Sequence, residues 1–234
     1  MKTVCSATLP MAAALALLML WLVVPKRVDA NAEVAVYPGM EIHQGDTVCT
    51  LGYVSARLRM AVTIGRCNGA PIVTDKNRVP IGTVLRTSHD IADHEAADSS
   101  KLAAEYEIIG LAPEANATDL LPNGRQLVVD PALRMQTGLP VCRMRNTVEQ
   151  VCGSIDAANH RRFTVNRWQG EPRDLGGPVY AVPDDKRAVL IGLVESARGS
   201  VLEAQSWPAL MQQVHADTRS SGTQRAVRLV SHSQ

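Results

Sequence analysis

The chain predicts an all-β protein, a barrel or a sandwich, and three observations carry that prediction. Short runs rich in Val, Ile, Leu and Thr recur along it, each of strand rather than helix length. Gly, Pro, Asn and Asp punctuate these runs at roughly 8–15-residue intervals, as tight turns between antiparallel strands do. No long helical period appears before the C-terminus.

Taken in order, residues 1–30 read as a processing signal rather than as fold. Lys2 supplies a short basic lead, residues 11–24 are unbroken apolar, and Val28-Asp29-Ala30 is an acceptable cleavage site. The apolar run is shorter than the roughly 20 residues a spanning helix needs, so an uncleaved anchor is the lesser alternative. Cys5 precedes the run and is not placed like a lipoprotein cysteine. Strands are expected at 34–37, 47–54, 60–64, 72–73, 81–85, 107–111, 127–129, 163–165, 179–182 and 189–194. Residues 90–102, rich in Ala, Asp and Ser, read as a polar loop. A hinge is expected at 116–125, where Pro113, Pro122, Asn123 and Gly124 cluster. Near the end Ser206 is a helix N-cap candidate, Pro208 suits a first turn, and Leu210, Met211 and Val214 lie at helical spacing. The tail after Thr218 is polar. The expected organisation is therefore a signal at 1–30, one half at 31–120, a second half with the terminal helix at 121–218, and a tail at 219–234.

Removing Lys2, Lys26, Arg27 and Asp29 with the signal takes the formal charge from +1 to −1. Such a surface gives no reason to expect nucleic acid or an anionic membrane as partner. Four cysteines remain, at positions 49, 67, 142 and 152. An even count in an exported chain points to disulfides, with three connectivities open. A zinc site is the poorer reading, because no pair has C-x-x-C spacing.

Residues 171–180 read EPRDLGGPVY, similar to the GDSGGPVY segment of chymotrypsin-fold serine proteases, with Leu175 where the nucleophile belongs. Cys49-Thr50-Leu51-Gly52-Tyr53 and Thr63-Ile64-Gly65-Arg66-Cys67 resemble the CTLGY and TAGHC segments of the streptogrisin-type secreted actinobacterial proteases. Arg66 then stands at the catalytic histidine. Ala104-Glu105-Tyr106-Glu107-Ile108-Ile109-Gly110-Leu111 is similar to the family's DYALIRL-type strand, which sets Glu105 on the aspartate. Val141-Cys142-Arg143-Met144-Arg145 and Cys152-Gly153 resemble a further family segment. The matches keep family order over about residues 36 to 216.

The resemblance implies two six-stranded antiparallel Greek-key barrels with a short C-terminal helix. It selects Cys49–Cys67 and Cys142–Cys152 as the disulfides. It also implies that Asp174, the retained aspartate of the motif, is buried and paired with a cation, for which Arg143 is best placed. Serine-protease chemistry needs a serine oxygen, an imidazole that accepts its proton, and an acid that orients the imidazole. Leucine offers no oxygen, and a guanidinium keeps its proton and accepts no hydrogen bond. Arg173 replaces the glycine whose N–H serves the oxyanion hole, a further loss. An ion pair between Arg66 and Glu105 is expected to fill the vacated centre.

Two functions from different classes follow. The first is a secreted or cell-envelope protease homologue without a catalytic triad, binding an unknown protein or peptide ligand between its barrels. The second is a hydrolase with a rebuilt site, such as Ser154 or Ser196 with His160 or His89. A decaying paralogue without selected activity is a third reading. No cofactor and no metal is expected: His89, Asp90, Asp93, His94 and Glu95 read as a solvated loop, and His43, His160, His215 and His232 are dispersed. Arg161, Arg162 and Arg167 read as a solvated strand edge, and Asn116-Ala117-Thr118 as a glycosylation sequon by pattern alone.

Overall fold

The computed structural model describes residues 33–88, 104–145, 149–166, 168, 170–198 and 201–220. The signal segment with Cys5, the loop at 90–102 with its histidines and carboxylates, Arg167 and the tail from 221 onward lie outside the described residues.

The N-terminal sheet contains β2 (Glu41–Gln44), β3 (Thr47–Thr50), β4 (Tyr53–Ser55), β5 (Met60–Thr63), β6 (Ile72–Asp75), β7 (Pro80–Thr87) and β8 (Glu107–Leu111). Its order is β3-β2-β6-β7-β8-β5-β4. The two edge strands, β3 and β4, are consecutive in the chain and joined only by Leu51 and Gly52. The sheet therefore curls until its two edges meet in one continuous stretch of chain. The single strand expected at 47–54 is bent there into two. Outside this sheet, β1 (Val34–Val36) pairs in parallel with β9 (Ala115–Ala117), which carries the exposed sequon residue Asn116.

The C-terminal sheet contains β10 (Gln126–Val128), β11 (Pro140–Arg145), β12 (Glu149–Ala158), β13 (Arg162–Asn166), β14 (Pro178–Ala181), β15 (Arg187–Arg198) and β16 (Val201–Ser206). Six of these strands, in the order β15-β14-β11-β12-β13-β16, close on themselves through the β15–β16 pairing, and β10 adds in parallel to β15. Closure leaves no free edge on this barrel wall. The helix α1 (Trp207–Ser220) follows directly, with Ser206 Oγ accepting the Ala209 N–H at 3.3 Å. It runs two residues beyond the expected end at Thr218.

Alternating burial builds three apolar clusters. One fills the N-terminal barrel around Ile42, Leu51, Ile64 and Ile109, and another fills the C-terminal barrel around Ile155, Phe163, Val165 and Leu202. The third lies between them, where Val62, Tyr106 and Ile108 meet Tyr180, Leu193 and α1 residues Trp207 and Leu210. Tyr53 and Trp207 stack obliquely across this seam at 5.2 Å, and the Tyr106 hydroxyl donates to Asp217 at 2.8 Å. The shared cluster and the helix hold the two barrels as one body, and the loops between them form the site.

Among the described residues two disulfides are present, Cys49–Cys67 and Cys142–Cys152. The first ties β3 to the short 3-10 turn at Gly65–Cys67, and the second joins directly opposed residues of β11 and β12.

Candidate functional site

Arg66 projects from the 3-10 turn that follows β5, between the buried Gly65 and Cys67. The chain packs closely behind it. A Cβ added at Gly65 would lie 3.1 Å from the Glu105 Cβ and 3.0 Å from the Tyr106 nitrogen. That approach brings the segment before β8 alongside the turn, and Arg66 Nε donates to Glu105 Oε2 at 3.1 Å. Arg66 is 46 % exposed and Glu105 27 % exposed, so water screens the pair.

The arginine also reaches the other barrel. Its Nη2 lies 3.5 Å from Oε1 of Glu195, a β15 residue only 2 % exposed. Glu195 is the extra residue where the β15–β16 register shifts between Val194 and Ser196. A bulge re-aims the side chain it releases, which is how an acidic residue at the end of an apolar run comes to face inward. Arg162 of β13 grips the same carboxylate bidentately, with Nε and Nη2 each donating at 2.7 Å. Burial works against the charge of Arg162, but the hydrogen bonds to Glu195 outweigh it, and the pKa is raised. Arg162 is therefore no solvated strand-edge charge; it is the partner of a buried carboxylate. A second link between the barrels runs parallel to this one: the Glu105 N–H donates to Gln205 Oε1 of β16 at 3.0 Å.

The segment carrying Leu175 lies beside the Arg66 turn, with the Leu175 carbonyl oxygen 3.9 Å from Cys67 Sγ. Residues Pro172–Asp174 form a 3-10 turn with a reciprocal cap, in which the Glu171 N–H donates to Asp174 Oδ2 at 2.7 Å. The Leu175 N–H turns inward and donates to the Pro172 carbonyl at 3.3 Å. The Leu175 side chain packs against the N-terminal core cluster that contains Cys49 and Cys67, and its carbonyl accepts the Thr50 N–H at 2.8 Å. Gly176 follows with φ +83°, and a Cβ there would sit 2.0 Å from Thr63 Oγ1. Only glycine lets the two barrels approach so closely. Arg173 is 56 % exposed and paired with Glu171 at 2.9 Å, while its carbonyl accepts the Thr50 hydroxyl at 2.7 Å.

Beneath the turn, Arg143 Nη1 donates to Asp174 Oδ2 at 2.7 Å, with exposures of 3 % and 10 %. The guanidinium lies 5.6 Å from the ring centroid of the buried Trp168. One carboxylate oxygen thus accepts from the Arg143 side chain and from the Glu171 backbone, which fixes the turn on β11.

Of the residues in the second sequence reading, His89 lies outside the described residues. Among the described residues, no hydrogen bond joins Ser154 or Ser196 to an imidazole, and His160 is engaged through its backbone carbonyl by Ser206. Sequence reasoning missed Glu195 and its bond to Arg162. The available signal was one acidic residue closing the run Ala188-Val189-Leu190-Ile191-Gly192-Leu193-Val194. The assembled site can hold charge and donate hydrogen bonds. The Leu175 side chain has no nucleophilic atom, and the Arg66 guanidinium accepts no hydrogen bond.

Comparison with known proteins agrees with this architecture. No protein-family model matches the chain. Thermobifida fusca Protease A superposes with a TM-score of 0.55 at 17% identity, over 78% of this chain and 97% of that one. The Nocardiopsis protease NAPase does so with a TM-score of 0.54 at 17% identity, over 80% and 96%. The chain is also 37% identical over 185 residues to the Mycobacterium tuberculosis H37Rv protein called "Uncharacterized protein Rv1815", covering 79% of this chain and 84% of that protein. The chain belongs to the family of Rv1815 and has the two-barrel fold of the chymotrypsin-like serine proteases.

Proposed function

We propose that the protein is an exported, non-catalytic relative of the chymotrypsin-like proteases, which acts by binding a peptide or protein in the cleft between its barrels. The observation that carries this reading is the position of Arg66, paired with Glu105 and reaching Glu195 across the cleft. In the family the chain resembles, that place belongs to an imidazole that takes and returns a proton. A guanidinium stays protonated to about pH 12 and above and cannot do so. Leu175 at the nucleophile position adds a second loss. The third is the Leu175 N–H, which an oxyanion hole would aim outward but which is committed to Pro172.

Retention of the scaffold beneath these losses favours a binding role. Asp174 and Arg143 still anchor the turn, and Gly176 still seats it on β3 and β5. Arg66 and Arg173 leave charged, partly exposed groups beside the cleft, suited to a ligand with acidic or carbonyl acceptors. Export follows from the sequence of residues 1–30, and intact-mass measurement of protein from a secreting host is expected to give a mature chain beginning near Asn31.

The test of inactivity is labelling of the mature protein with a fluorophosphonate serine-hydrolase probe, alongside peptide and ester substrates. No labelling and no turnover above background are expected. Stoichiometric labelling at Ser154 or Ser196 would replace this reading with a hydrolase whose site has been rebuilt.

A further inference from the structure

A cavity of about 480 Å³ lies between the segment after β10 and the start of α1. It shares no residue with the ionic chain of Arg66, Glu105, Glu195 and Arg162, nor with the turn at Leu175. Its floor is apolar and buried, made by Leu190 and Ile191 of β15 with Trp207 and Met211 of α1. Half-buried Leu133 and Met135 continue the apolar wall. The volume and lining are those of a small-molecule site.

The rim differs in kind from the floor. Arg134, His160 and His215 border the cavity. Among the described residues, none of these three side chains has a hydrogen-bond or ion-pair partner, whereas Arg66, Arg143, Arg162 and Arg173 are each paired with a carboxylate. Among the described residues lining the cavity the one acid, Asp130, uses Oδ1 to accept the Ala132 N–H at 2.8 Å. An apolar body flanked by an uncommitted guanidinium and two imidazoles complements a molecule with an apolar body and one anionic end.

We propose that this cavity binds an amphipathic carboxylate of the fatty-acid type, with its chain on Trp207 and Met211 and its carboxylate at Arg134 and the two histidines. The site is independent of the cleft reading, because it requires nothing of Arg66 or Leu175.

The test is calorimetric titration of the mature protein with decanoate, decanol and acetate, each below any micelle-forming concentration. Decanoate is expected to bind saturably, decanol about tenfold more weakly, and acetate not at all, since neither half of the ligand suffices. Arg134→Glu should weaken decanoate by about tenfold or more and leave decanol unchanged. Arg134 is exposed, and circular dichroism of the variant establishes that the fold is intact. Three results would overturn the proposal. One is absence of saturable decanoate binding, and another is an Arg134→Glu variant that binds decanoate like the parent. The third is tighter binding of an apolar peptide with a free C-terminal carboxylate than of decanoate, which would make the occupant a peptide.

Discussion

Arg66 of the N-terminal barrel and Glu195 of the C-terminal barrel meet between the two barrels, with Nη2 3.5 Å from Oε1. The four charges along this line are unequal. Glu195 is buried, so its carboxylate depends on the guanidinium groups that reach it, while Glu105 at the other end is partly hydrated. Removal of one member should therefore cost very different amounts along the chain.

Arg162→Ala leaves Glu195 buried with only the longer Arg66 contact, and a destabilisation of about 3 kcal/mol or more is expected. Glu105→Ala leaves Arg66 half-exposed and still facing Glu195, so a cost under about 1 kcal/mol is expected. Denaturant unfolding of the two variants measures the difference. Equal costs would mean that Glu195 is hydrated in solution.

The motif segments made much of this region legible in the sequence. CTLGY, the turn at Arg66 and LGGPVY named the loops around this contact, because tight turns and close backbone approaches demand particular residues. The β12 strand was not legible as a strand. Most of its residues face outward or are only half-buried, so it shows no apolar alternation. For the same reason β2, with the sequence Glu41-Ile42-His43-Gln44, carries a single large apolar side chain and no strand signal. Glu195 escaped for a different reason. A bulge reverses the facing of every residue beyond it, and its position depends on pairing with β16, which spacing along one strand does not reveal.

Asp174 and Arg143 form the buried pair beneath the Leu175 turn. Asp174→Ala would remove the carboxylate that pairs with the buried Arg143 and the acceptor of the Glu171 N–H. A loss of about 3–5 kcal/mol is expected, detectable by thermal or denaturant unfolding. If Asp174→Ala costs no more than Glu105→Ala, the pair does not hold the turn.

Two tyrosines resist ionisation for reasons visible in the core. Burial pushes Tyr180 up to about 12 from 10.0. Burial, reinforced by the hydrogen bond and charge of Asp217, pushes Tyr106 up as well. A raised folded-state pKa means that the folded protein holds protons the unfolded chain has released, so stability falls as pH rises. These contributions are complete below pH 10.0, the unfolded value, and that of Tyr180 is lost as pH rises to about 12. Ultraviolet tyrosinate titration should show two of the four tyrosines ionising well above 10.0, Tyr180 near pH 12. Their ionisation near pH 10 in the folded state would mean that the seam between the barrels opens to water.

On the proposed reading, in which Arg66, Glu105 and Leu175 stand at the triad positions, restoring the triad side chains is not expected to rebuild an enzyme. Leu175→Ser supplies an oxygen but no base, and triad members act as a unit, so the single variant is expected to stay at background. Arg66→His and Glu105→Asp added to it would restore the residue types. Two obstacles remain in the triple variant. The position-175 N–H is still held by the Pro172 carbonyl, which leaves the oxyanion without that donor, a loss worth about 10²–10³ in rate. The Glu195 carboxylate also loses its Arg66 contact and stands beside the new imidazole, where it competes for the proton and the orientation that the aspartate would control. Ester hydrolysis by the triple variant is therefore expected to match that of Leu175→Ala. Turnover by Leu175→Ser alone, absent from Leu175→Ala, would show that a base already serves position 175, and the non-catalytic reading would fall.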